Sequence, residues 1–236
     1  MIAQEYKSKV VKIVEEAPKV KTFHVKVPET FTFEPGQFVM LSLPEKKLPR
    51  AFSIASSPTQ ERIIELTIKI ESYPQEEGAR HLSPLLGKIK EGQEVTFKGP
   101  YGKFVLDESH DDLIFIAAGT GIAPLMSMIR YCLANNHQKN ITLFNCNRTP
   151  KHIIYKKELE KIKNKITLIQ TISRPEESSG WGGHEGRITK QLLEEYITNK
   201  NALVYICGPN AMVKQAQHDL EELEFPKEHV KVELWG

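Results

Sequence analysis

The chain has 236 residues, 40% hydrophobic and 26% charged, with 32 basic against 30 acidic side chains and a formal net charge of +2. That balance excludes a polybasic nucleic-acid binder, and the length suits one large domain or two of about 110 to 120 residues, each able to bury a core. No apolar stretch approaches the roughly 18 residues that span a bilayer, and the start MIAQEYKSKVVK is charged where a secretory signal is apolar.

Cys132, Cys146 and Cys207 are too scattered for a disulfide framework or a zinc pattern, and too few for a four-cysteine iron–sulfur cluster. The eight histidines show no paired ligand spacing. The expectation is a cytoplasmic protein with no metal of its own and no transmembrane segment.

Along the first hundred residues, Val10–Val14, Thr22–Val27, Gln37–Leu43, Ala51–Ala55, Ile63–Ile70 and Glu94–Lys98 are short alternating or β-branched runs separated by turn residues. Six such strands predict a small antiparallel β-barrel. Glu34-Pro35-Gly36-Gln37 reads as a type II turn, with proline fixing φ and glycine accepting the positive φ that follows. A short helix is expected around Ala79–Leu86.

Beyond the charged segment Asp107–Asp112 the rhythm changes to strand and helix in alternation. Strands are expected at Leu113–Ala117, Ile141–Cys146, Ile166–Ile172, Leu203–Cys207 and Val230–Leu234. Helices are expected from Ile122 to about Ala134, over Tyr155–Ile162, near Thr189–Ile197 and over Asn210–Leu223. This predicts a doubly wound α/β domain with a five-stranded parallel sheet. The expected domains are 1–108, the barrel, and 109–236, the α/β half.

The stretch DLIFIAAGTGIAP, Asp112–Pro124, joins an apolar strand to a helix through Gly119-Thr120-Gly121. A strand, glycine turn and helix start aim free backbone N–H groups and a positive helix end at a phosphate. Pro124 stands where a third glycine would complete a dinucleotide fingerprint, so the turn alone leaves a plain βα connection equally open.

Several motifs, taken in order through both halves, resemble the ferredoxin–NADP⁺ reductase family. Arg50-Ala51-Phe52-Ser53 resembles its R-x-[YF]-S flavin motif. The resemblance implies Arg50 on the flavin phosphates, Phe52 packed on the isoalloxazine ring and Ser53 hydrogen-bonding near N5. Gly99-Pro100-Tyr101-Gly102-Lys103-Phe104 resembles the G-P-x-G-x-F turn that ends the barrel. Ser83 takes the serine place of a G-x-x-S motif in which Arg80 replaces the glycine; counting from Gly78 would put His81 there instead, and the leucine register through Leu86 and Ile89 favours Ser83.

Gly119-Thr120-Gly121-Ile122-Ala123-Pro124 resembles G-T-G-[IV]-A-P, which accounts for the missing glycine, and Cys207-Gly208-Pro209 resembles C-G-P, whose cysteine lies near the nicotinamide. Glu233-Leu234-Trp235 resembles the family's E-x-aromatic ending, with a spare Gly236 beyond it. Arg148 follows the second parallel strand where NAD-preferring folds carry an acid. Ser173-Arg174 resembles the S-R pair at a 2′-phosphate, and Tyr155 stands in a matching I-Y-x-x-E-L context.

The implied protein is a stand-alone flavoprotein reductase without an iron–sulfur domain. It binds FAD, with FMN the weaker fit, and uses NADPH or NADH as cosubstrate. Ser53, Cys207 and Glu233 are its catalytic positions, and electrons pass singly to a separate ferredoxin, flavodoxin or small acceptor. Lys46 and Lys47 are candidates to steer an acidic partner. Alternatives are a free-flavin reductase, an oxygenase reductase component, and a non-enzymatic flavin- or nucleotide-binding regulatory subunit.

Overall fold

The computed structural model describes residues 4–72, 81–135 and 138–234, apart from the side chains of Lys46 and Lys47. The chain divides into two compact units, Met1–Leu106 with Met126–Asn135, and Asp107–Leu125 with Asn136–Gly236.

The first unit holds β1 (Gln4–Ala17), β2 (Val20–Lys26), β3 (Phe38–Leu43), β4 (Lys46–Ser53), β5 (Ile63–Lys69) and β6 (Glu94–Tyr101). They form one sheet in the order β4-β3-β6-β1-β2-β5, with every neighbouring pair antiparallel. An Ile54–Leu66 bridge joins the two ends of that order, so the six expected strands close into a barrel.

Fourteen-residue β1 serves two partners: Gln4–Lys9 pairs with β6 and Val10–Ala17 with β2, with a register shift between Val10 and Lys12. Such an irregularity bends a strand and lets it turn a barrel corner. Alternate residues fill the interior, among them Phe23, Val25, Val39, Leu41, Ile64, Leu66, Val95 and Phe97. The short helix α1 is Leu82–Leu86 and packs against β4; Ala79 and Arg80 lie outside the described residues.

The turn before β3 is as the sequence demands. Gln37 N–H donates to Glu34 O at 3.1 Å, and Gly36 sits at φ +101°. A Cβ on Gly36 would lie 2.2 Å from Phe104 O, so space as well as backbone angle requires glycine. In Gly99–Phe104 the strand β6 continues through Tyr101 and only then turns at Gly102, with Tyr101 stacked on Phe38 at 5.7 Å.

The second unit holds β7 (Asp112–Ala118), β8 (Asn140–Asn147), β9 (Thr167–Ile172), β10 (His184–Glu185), β11 (Leu203–Gly208) and β12 (Val230–Leu234). Its longer helices are α2 (Ile122–Ala134), α3 (Lys156–Ile162), α4 (Lys190–Tyr196) and α5 (Asn210–Glu222). From Met126 onward α2 is counted with the first unit.

The sheet runs β10-β9-β8-β7-β11-β12, all parallel. The five expected strands are present, and β10 adds a sixth of two residues, too short to leave a periodic signature. After β7 the chain winds outward through β8, β9 and β10, then returns to β11 on β7's other side. β7 and β11 therefore flank the topological switch point, where ligands settle at the carboxyl ends of the strands. Leu113–Ala117 is buried throughout, as a doubly covered strand must be.

Candidate functional site

In the second unit the turn Gly119–Gly121 forms a single 3₁₀ turn between β7 and α2, at the switch point. Gly119 adopts φ +57°, and a Cβ there would meet no atom within 4 Å, so its surroundings are open. Gly121 is the opposite case: a Cβ would sit 2.2 Å from Cys207 O and 2.7 Å from Gly208 Cα. One glycine thus leaves room above the turn while the other lets the turn press against β11. Pro124 is buried in the first turn of α2, where its missing N–H breaks no intrahelical bond. Together these features form a cradle with the chemistry for a phosphate.

β11 brings its own motif to the same end of the sheet. Cys207 is fully buried and in register with Ala117 on β7 and Glu233 on β12. The structure thus places Glu233 beside Cys207 in register, and Cys207 against the glycine turn. Gly208 is also crowded, since a Cβ there would meet Met212 Cε at 2.5 Å and Ala118 Cβ at 3.2 Å. Pro209 caps α5, its carbonyl accepting from Met212 N–H at 2.9 Å. Trp235 lies outside the described residues.

A third group gathers after β8 and β9. Ser173 N–H donates to Asn147 O at 3.0 Å and Arg174 N–H to Arg148 O at 2.9 Å, so the two loops run together and both guanidinium groups stand exposed. Arg174 also pairs with Glu177 at 3.1 Å. Two neighbours escaped the motif reading, Lys151 and His152. Burial holds His152 below its ordinary pKa, and the positive charges of Lys151 and Arg148 add to that. Their signal was the run Arg148-Thr149-Pro150-Lys151-His152, basic at both ends. Tyr155 is buried at a left-handed φ of 57°, an uncommon setting for an aromatic residue and a mark of a constrained loop.

In the first unit Arg50 and Phe52 alternate along β4 opposite Leu41 and Val39, and Ser53 lies opposite Phe38. Arg50 is exposed, its Nη1 donating to Pro49 O at 3.0 Å. Phe52 is half-buried, one part of its ring packed on the barrel core. Ser53 is 8% exposed. Ser83 lies in α1, and its Oγ accepts from Glu71 N–H at 3.3 Å. A guanidinium, an aromatic face and a hydroxyl along one strand end fit a flavin's phosphates, ring plane and ring nitrogens.

None of the three cysteines forms a disulfide. Cys146 is pushed up to about 11 by burial, an effect the Thr171 hydroxyl only partly offsets. Among the described residues no cluster of three potential metal ligands occurs, and no helix is long and apolar enough to cross a membrane.

Comparison with known proteins agrees in both halves. Residues 7–106 match the model of the oxidoreductase FAD-binding domain and residues 115–218 that of the oxidoreductase NAD-binding domain. The chain is 34% identical over 243 residues to sulfhydrogenase 1 subunit gamma of Pyrococcus furiosus, a match covering 97% of this chain and 79% of that one.

It is 31% identical over 238 residues to the glycine betaine monooxygenase reductase subunit of Pseudomonas aeruginosa, covering 96% of this chain and 63% of that subunit. The chain therefore spans less than two thirds of the latter relative. In fold it is similar to a ferredoxin NADP⁺ reductase from Neisseria gonorrhoeae solved with FAD and NADP. There the TM-score is 0.83 at 20% identity, with 98% of both chains covered.

Proposed function

The chain belongs to the ferredoxin–NADP⁺ reductase family of FAD- and NAD-binding oxidoreductases, and from that premise we propose that it oxidises NADPH on a bound FAD and passes the electrons to a separate protein acceptor. The observation that carries the reading is the pairing of an open Gly119 cradle with Cys207 and Glu233 in adjacent register at the switch point. When bound, the flavin accepts the nicotinamide hydride and gives up its electrons one at a time.

The chain's own residues bind, orient and shield. Arg50 takes the flavin phosphates, the accessible part of Phe52 covers the ring, and the Ser53 hydroxyl serves its reactive nitrogen edge. The Gly119–Gly121 turn and the start of α2 hold the nucleotide diphosphate. Cys207 and Glu233 orient the nicotinamide, and residues 1–108 and 109–236 serve as the flavin and nucleotide domains.

Arg148, Lys151 and Arg174 favour a 2′-phosphate, and no acid stands after β8 to prefer a bare ribose, hence NADPH over NADH. The two relatives belong, by their names, to a sulfhydrogenase and a monooxygenase, which points to a partner redox enzyme or its carrier as acceptor. Reduced cysteines suit the cytoplasm.

The test is the absorption spectrum of the purified protein under anaerobic conditions. A yellow protein bleached by NADPH faster than by NADH supports the reading. A colourless protein that reduces added flavin is a free-flavin reductase, and bound nucleotide without bleaching marks a sensor.

A further inference from the structure

Strand β4 ends at Ser53, but the chain stays buried through Ile54, Ala55, Ser56 and Ser57. Buried backbone outside a regular ladder must find other hydrogen-bond partners. Ile54 N–H donates to Gln37 O at 2.9 Å and Ala55 N–H to Glu65 O at 2.8 Å.

Two carbonyls in this stretch accept from α2 instead. Arg130 Nη1 donates to Ala55 O at 2.8 Å, and Ser127 Oγ donates to Ser56 O at 2.6 Å. Ser127 and Arg130 are three residues apart, so one face of the helix makes both contacts.

The same guanidinium nitrogen donates to Glu65 Oε2 at 2.8 Å, and Glu65 N–H donates to Ser56 Oγ at 3.2 Å. Glu65 is only 9% exposed, so its carboxylate needs a fixed countercharge. His24 Nδ1 is 3.6 Å from the other carboxylate oxygen, and burial holds that imidazole below its ordinary pKa, leaving it neutral at pH 7. Arg130 supplies the matching charge. A helix, a strand and the Ala55 carbonyl are thereby tied at one guanidinium, with Ser127 holding the next carbonyl along.

We propose that Arg130 is a positioning residue for flavin reduction, acting through the Ala55 carbonyl and Glu65 to hold Ser53 in its working orientation. The proposal rests on the role assigned to Ser53 above.

The test compares R130M, R130K, S127A, S53A and the S53A/R130M double variant, flavin-free and flavin-loaded. In flavin-free R130M, amide hydrogen exchange over residues 53–57 quickens about ten-fold while β1 and β2 keep wild-type protection. In flavin-loaded R130M the limiting rate of anaerobic flavin reduction falls on the order of ten-fold, with flavin affinity and the KM for nucleotide unchanged. R130K recovers most of both quantities, because an ammonium also reaches a carbonyl and a carboxylate. Adding R130M to S53A slows reduction no further.

Wild-type reduction by R130M, exchange that quickens evenly across the barrel, or additive slowing in the double variant overturns the proposal. Should R130M fail to fold, S127A carries the same two readouts at about three-fold amplitude, and wild-type behaviour there overturns it equally. A wild-type protein that neither NADPH nor NADH bleaches defeats the proposed function instead, and an S53A variant of normal rate defeats the role of Ser53.

Discussion

Gly119 and Gly121 are two residues apart and predict opposite outcomes for the same substitution. In G119A the new methyl meets nothing within 4 Å, so the folded cost is the left-handed φ of +57° alone, about 1–2 kcal/mol. On the proposed reading, the methyl then occupies the space above the turn where the diphosphate would lie. Losing one charge-assisted bond there costs about 1.5–3 kcal/mol, or roughly 10- to 100-fold in nucleotide affinity.

In G121A the methyl would stand 2.2 Å from Cys207 O, and that partner is backbone. It falls about 1 Å short of contact distance, and relieving such overpacking costs about 1–3 kcal/mol. For a chain of this size that lowers Tm by roughly 2 to 12 °C, and the shifted Cys207-Gly208 backbone carries the defect to flavin reduction. Thermal melting of both flavin-free variants, with NADP⁺ titration by fluorescence, separates the effects. A G119A protein that binds NADP⁺ as tightly as wild type would falsify the cradle, and a G121A protein of unchanged Tm would refute the packing argument.

The basic pair after β8 and β9 should govern nucleotide choice. Replacing Arg148 and Arg174 with methionine is expected to raise the KM for NADPH about 10- to 100-fold and leave that for NADH nearly unchanged; equal losses for both would show that the pair reads something other than the 2′-phosphate. Asp107 is held below the usual carboxylate range by the Ser109 hydroxyl and amide, then by Lys231. A depressed carboxyl stabilises above its unfolded pKa of about 3.9 and loses that contribution as pH falls through the folded value. D107N should therefore be less stable than wild type at pH 7, with the gap closing in strong acid; a gap constant from pH 7 to pH 2 would contradict this. The half-buried Cys146 thiol, pushed up to about 11, should alkylate in native protein at least ~100-fold more slowly than a free cysteine, and rapid labelling at pH 8 would speak against that shift.

The barrel strands were legible where one face alternates apolar residues, but β1 was read only from Val10 onward. Its first part, Gln4–Lys9, is almost wholly polar, and its place in the sheet comes from pairing with β6 some ninety residues away. β10 was missed for a related reason: two residues have no period, and its register beside Thr171 and Ile172 is set by β9. The glycine motifs were legible because they answer to backbone geometry, which leaves a residue-type signature. Arg130 was not. In sequence it is one arginine on an apolar helix, and its buried partner lies 65 residues earlier on a strand.

Cys207 shows how the same end of the sheet favours fit over covalent chemistry. A nucleophilic thiol needs access to its target and a neighbour to draw off its proton. Cys207 is wholly buried, its carbonyl is the surface on which Gly121 rests, and its register neighbours are an alanine and a carboxylate. What the position demands is a small side chain that keeps the strand end flush with the glycine turn, so C207S should keep much of the reduction rate, whereas a bulky C207L should lose it without any change in flavin content. If C207S were as inert as C207L, the residue would be acting through its sulfur and the argument from fit would fall.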